Sequence, residues 1–115
     1  MYQFSYAEVA ESSLQDSRSR ERQALERARE MLELGKQKGI RSQEAADALN
    51  YARKLWLLLI DDLANPENDL PDGLRAELIS IGIWVTRETE NIKTGMSDNF
   101  DGLIEICSIV GDGLR

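Results

Sequence analysis

The sequence predicts an all-α protein, a compact bundle of about four helices preceded by an extended aromatic N-terminal arm. Three observations carry that reading. Apolar residues recur three and four apart in separate stretches, the period of one helix face. Breaks rich in glycine or proline, around Gly35 and Gly39, at residues 65–71 and at Gly95, divide those stretches, and no hairpin dipeptide joins two alternating runs. Residues 1–12 differ: Tyr2, Phe4 and Tyr6 fall at period two, which suits an extended segment with its rings on one side. At 115 residues the chain fits one domain, so residues 1–12 are expected to be an arm and 13–115 a single helical domain.

The first helix is expected to begin between Ser13 and Asp16 and to end near Leu34. Its residues are dense in helix formers, and Asp16–Arg20, Arg22–Glu26 and Arg29–Glu33 sit at i,i+4. Its apolar stripe is thin: Leu25, Ala28, Met31 and Leu32, with Leu14 upstream. Gly35 and Gly39 supply the stop. Ser42 is a good N-cap for a second helix running to about Ala64. Ala45, Leu49, Ala52, Trp56, Leu59 and Leu63 make one continuous face, while Leu55, Leu57, Leu58 and Ile60 add apolar surface on the other sides.

Residues 65–71 read as a loop, because each proline pushes its predecessor out of the α region. A third helix follows from about Pro71 to Lys93, with Leu74, Leu78, Ile81, Val85 and Ile92 as its stripe. Gly82 in mid-helix costs about 1 kcal/mol against alanine, which suggests a close crossing with the 55–60 segment. Gly95 ends this element. Ser97, Asp98 or Asn99 caps a fourth helix, striped by Phe100, Leu103, Cys107, Val110 and Leu114, with Gly111 near its end. The short connectors favour antiparallel neighbours that pack against each other.

Charge narrows the function. The net charge is −7, and the single cationic stretch, residues 36–60, holds Lys36, Lys38, Arg41, Arg53 and Lys54. Residues 61–90 carry eight acids against Arg75 and Arg87. A polyanion would be repelled, so direct nucleic-acid binding is not expected. Cys107 is the lone cysteine, set among isoleucines; no intrachain disulfide can form, and a small buried hydrophobe is the expected reading. No signal peptide and no apolar run long enough to span a membrane is visible, so a cytoplasmic protein without membrane insertion is expected.

The chain has no histidine, which excludes Ser-His-Asp and Cys-His catalysis and histidine-based zinc sites. It has no phosphate loop and no dinucleotide fingerprint. The acids Asp61, Asp62, Glu67, Asp69 and Asp72 lack calcium-loop spacing and read as solvated loop charge. The expectation is therefore no enzyme and no cofactor. Two buried carboxylates facing one pocket would revive an enzymatic reading. Two helices apolar beyond one stripe, and an aromatic N-terminus, point instead to protein binding. For Trp56 and Trp84 a filled core is the expected role. The predicted partner contacts are Tyr2, Phe4 and Tyr6 on the arm, with Asn68, Asp69 and Arg75 beside the central loop. Capping of the third helix by Asn68 and Asp69 is the rival reading for the loop. The oligomeric state is left open.

Four stretches carry a resemblance. They are Leu55-Trp56-Leu57-Leu58-Leu59-Ile60-Asp61-Asp62-Leu63-Ala64, Pro66-Glu67-Asn68-Asp69-Leu70-Pro71, Leu74-Arg75-Ala76-Glu77-Leu78-Ile79-Ser80-Ile81-Gly82-Ile83-Trp84-Val85 and Asn99-Phe100-Asp101-Gly102-Leu103-Ile104-Glu105-Ile106. With the opening Tyr2-Gln3-Phe4-Ser5-Tyr6, they resemble the flagellar biosynthesis regulator family FlaF nearly end to end. The resemblance implies a non-enzymatic cytoplasmic factor needed for flagellin production or export, acting in opposition to FlbT, a regulator of flagellin messenger translation. One mechanism is a flagellin export chaperone that seats flagellin's terminal helices in an apolar groove, with the arm covering that groove when flagellin is absent. The alternative is binding to FlbT itself.

Overall fold

The computed structural model describes residues 6–113, with side-chain surroundings for residues 17–113. Four helices follow one another: α1 (Tyr6–Lys38), α2 (Gln43–Ala64), α3 (Asp72–Lys93) and α4 (Phe100–Gly113). The described residues include no strand. The all-α bundle predicted from the periodicity is the fold observed. The molecule measures 57 × 30 × 18 Å. Its long axis follows α1, whose 33 residues extend about 50 Å at 1.5 Å each.

α1 departs from its predicted limits at both ends. It opens at Tyr6, because the helix formers Ala7, Glu8, Ala10 and Glu11 prevail over the alternation of aromatic residues. Residues 6–12 therefore begin the helix rather than completing an extended arm. Residues 1–5, with Tyr2 and Phe4, lie outside the described residues, as does the side chain of Tyr6. At the other end Gly35 does not stop α1. It is buried where α1 crosses α2, and a Cβ there would lie 2.7 Å from the Cα of Ala45. The stop is Gly39, at φ 105°, whose N–H donates to the Gly35 carbonyl.

The remaining boundaries fall close to those predicted. Ser42 caps α2, its Oγ accepting from the Ala45 N–H at 3.1 Å. A Schellman motif closes α3: Met96 N–H reaches the Asn91 carbonyl and Gly95 N–H that of Ile92, with Gly95 at φ 80°. Asn99 caps α4, its Oδ1 accepting from the Gly102 N–H at 3.0 Å.

Residue pairs fix the packing. α1 and α2 run antiparallel: Gly35 meets Ala45 at one end, and at the other Arg18 pairs with Asp69 in the connector that follows α2. α2 and α3 are antiparallel too, with Lys93 bonded to Asn50, Arg53 near Glu90, and Gly82 against Ile60 and Trp56. The close crossing expected at Gly82 is present. α4 lies antiparallel on α1, through Lys36–Asp101 at 2.6 Å and Leu25 against Gly111. One core results, in which Leu25, Leu32, Leu49, Trp56, Val85, Phe100, Leu103 and Cys107 are buried. Buried Thr89 satisfies its hydroxyl on the Thr86 carbonyl.

One expectation about packing is corrected. α3 and α4 are joined by a short connector, yet they approach each other at most marginally. α4 packs its core face on that of α1 instead, leaving a gap beside α3.

Candidate functional site

The gap between α3 and α4 is an apolar groove of about 390 Å³, lined by Ile81, Trp84, Asn99, Gly102, Glu105, Ile106 and Ile109. Helical phase explains its make-up. On α3, Gly82, Val85, Thr89 and Ile92 point into the core, and Ile81 and Trp84 stand beside that face toward α4. On α4, Phe100, Leu103 and Cys107 point inward, which leaves Ile106 and Ile109 turned toward α3. Trp84 is 41% exposed and Ile109 58% exposed. The core role expected for both tryptophans holds for Trp56, 1% exposed, and fails for Trp84. A Cβ at position 102 would collide with the Asn99 side chain, so glycine there makes room for it. Asn99 joins the two walls at one end, its Nδ2 donating to Glu88 Oε2 at 3.3 Å.

Further apolar side chains reach the surface, among them Leu57 and Leu58 on α2 and Leu74 and Ile83 on α3. The expectation of more apolar surface than the bundle hides is thus met among the described residues. Sequence reasoning placed none of the groove residues among the partner contacts. The signal was there: Glu77, Ile81, Trp84 and Glu88 form a strip at i, i+4, i+7 and i+11. A strip with glutamates at both ends belongs at a boundary with solvent.

The predicted loop contacts lie together at the other end of α3, and each is engaged within the chain. Arg75 donates from Nε to the Leu63 carbonyl at 2.8 Å and from Nη2 to the Asn65 carbonyl at 3.0 Å, and its third nitrogen meets Asp72. Asn68 donates to the Asp62 carbonyl and accepts from the Leu70 N–H. The two side chains thereby cap the open carbonyl end of α2. Asp69 pairs with Arg18 of α1 at 3.0 Å. The rival reading, that Asn68 and Asp69 cap α3, is not what the structure has: Pro71 occupies that cap position, with no side-chain bond.

Above this connector lies a second cavity of about 300 Å³, floored by Trp56, Leu59, Leu63 and Val110 and rimmed by Arg18, Glu21, Asp62 and Asp69. Burial, then the neighbouring Asp62 carboxylate, raises the pKa of Glu21, and Arg18 and Arg20 oppose that rise. Glu21 is half-buried and Asp62 exposed, so this is not the buried carboxylate pair that an acid–base site needs. Among the described residues no three acids or cysteines gather closely enough to hold a metal ion. The Cys107 thiol is buried, which raises its pKa, and the adjacent Trp56 indole partly offsets the rise. The two groups touch without the geometry of a full hydrogen bond, so the indole N–H has no proper acceptor. No described helix is long and apolar enough to cross a membrane.

Among known families, the model for flagellar protein FlaF matches residues 2–114. No curated protein and no solved structure matches the chain.

Proposed function

The chain belongs to the flagellar protein FlaF family, and from that premise we propose that it is a non-enzymatic, cytoplasmic binding factor that holds unassembled flagellin for export. The observation that supports this reading is the open groove between α3 and α4, where Trp84 and Ile109 offer apolar surface that no described residue covers. Flagellin's terminal helices are its natural occupants, because an amphipathic helix inserts apolar side chains at i, i+3, i+4 and i+7 into such a furrow. α4, with 14 residues, offers about 20 Å of wall, nearly four turns of a bound helix.

Tyr2, Phe4 and Tyr6, whose side chains lie outside the described residues, are further contacts to flagellin in this reading. The acidic balance, −7 overall, works against any contact with messenger by this chain.

Calorimetric titration with monomeric flagellin, and separately with FlbT, tests the reading. Saturable binding of flagellin that disappears when its terminal helices are removed is expected. Binding of FlbT alone would replace this reading with a regulator that acts on the translational control protein.

A further inference from the structure

The groove has walls as well as a floor, and the walls are acidic. Glu77 and Glu88 bracket Ile81 and Trp84 on the α3 strip, and the Asn99–Glu88 bond fixes that strip toward α4. Glu105 lines the groove from α4. No lysine or arginine lines it, and among the described residues none of these three glutamates has an ion-pair partner. The nearest cation by helical position, Arg87, sits on the outer edge of α3 beyond Trp84.

We infer that the helix this groove accepts carries lysine or arginine along both edges of its apolar stripe. The inference rests on the proposed function and adds the chemistry of the partner. Basic side chains suit the site for two physical reasons. Their aliphatic stems cover the exposed parts of Ile109 and Trp84 while the charged heads reach the glutamates, and a guanidinium or ammonium over the indole face gains from the ring quadrupole. A helix edged with acids would meet three like charges at the rim and be rejected. The acidic walls thus select among amphipathic helices that the floor alone would accept equally.

Two synthetic helical peptides with the same leucine stripe, one edged with lysine and one with glutamate, test this. Binding is read by tryptophan fluorescence on the full chain, after sedimentation has established its oligomeric state. The lysine peptide is expected to bind about tenfold tighter, an advantage that shrinks with added salt. In the double variant E77K/E105K the preference reverses, and both substitutions are at exposed positions, so the fold is retained. Equal affinity for the two peptides, or a preference that E77K/E105K leaves unchanged, overturns the inference. So does a dimer whose interface buries Trp84, since a second copy would then be the occupant. Flagellin binding that depends on Ile109 while the peptides are not distinguished would remove the charge selection and leave the groove reading intact.

Discussion

Replacing Ile109 by aspartate separates the groove from the rest of the exposed apolar surface. Fully burying an isoleucine side chain is worth roughly 1.5–3 kcal/mol. With 58% of Ile109 open, about 1.5 kcal/mol of that remains for a partner to gain. An aspartate at the same place leaves a carboxylate in an apolar interface and adds about 1–3 kcal/mol of desolvation. The sum, near 3 kcal/mol, weakens flagellin binding roughly a hundredfold. The covered part of the side chain contributes about 1 kcal/mol to the fold, so the melting temperature falls by about 4 °C. Leu58→Asp is the control: Leu58 is 69% exposed, but it lies on α2, which does not line the groove. Calorimetry on both variants, with circular dichroism to confirm folding, gives the answer. Ile109→Asp binding like the parent chain, or Leu58→Asp losing as much affinity, would refute the assignment of the groove.

Four further outcomes follow from the geometry. Arg75→Ala removes two charge-assisted bonds to the end of α2 and is expected to cost about 2–3 kcal/mol in chemical denaturation, with little effect on flagellin affinity. Gly35→Ala gains about 1 kcal/mol of helix propensity but drives a Cβ to 2.7 Å from backbone at Ala45, for a net loss of about 1–2 kcal/mol. Gly82→Ala brings a Cβ to 2.7 Å from Ile60 Cγ1 and 3.2 Å from the buried Trp56 ring, which outweighs its gain in helix propensity, so its melting temperature falls by about 4 °C or more. Glu21, with its pKa raised in the fold, favours the folded state most when protonated, and that contribution is lost as pH rises through the folded-state pKa. Glu21→Gln therefore melts higher than the parent at pH 7, and the difference closes as the pH falls into the ordinary glutamate range.

The helices were legible because their signals are local. Ser42 and the prolines at 66 and 71 set the limits of α2 and the start of α3, and Gly82 marked the crossing with α2. Gly35 misled because a glycine kept for close approach looks, in sequence, like one kept for a stop. The groove was hidden for a different reason. Its existence depends on α4 packing on α1 and not on α3, a tertiary outcome that joins Leu25 and Leu32 to Leu103 and Cys107 in one core across more than sixty residues of chain. Helical phase alone distinguished the tryptophans: Trp56 continues the 45-49-52-56-59-63 face, whereas Trp84 lies one step off the line of Leu78, Val85 and Ile92. Asn68, Asp69 and Arg75 stood out as a polar cluster, and the structure gives that cluster a scaffolding task at the end of α2.

Photo-cross-linking from single positions tests the central claim most directly. A photoreactive amino acid is placed in turn at positions 84, 109, 58 and 68, and each protein is irradiated with monomeric flagellin. The account predicts cross-links to a terminal helix of flagellin from 84 and 109, and none from 58 or 68. Cross-links that cluster at 58 or 68 while 84 and 109 stay silent would contradict it.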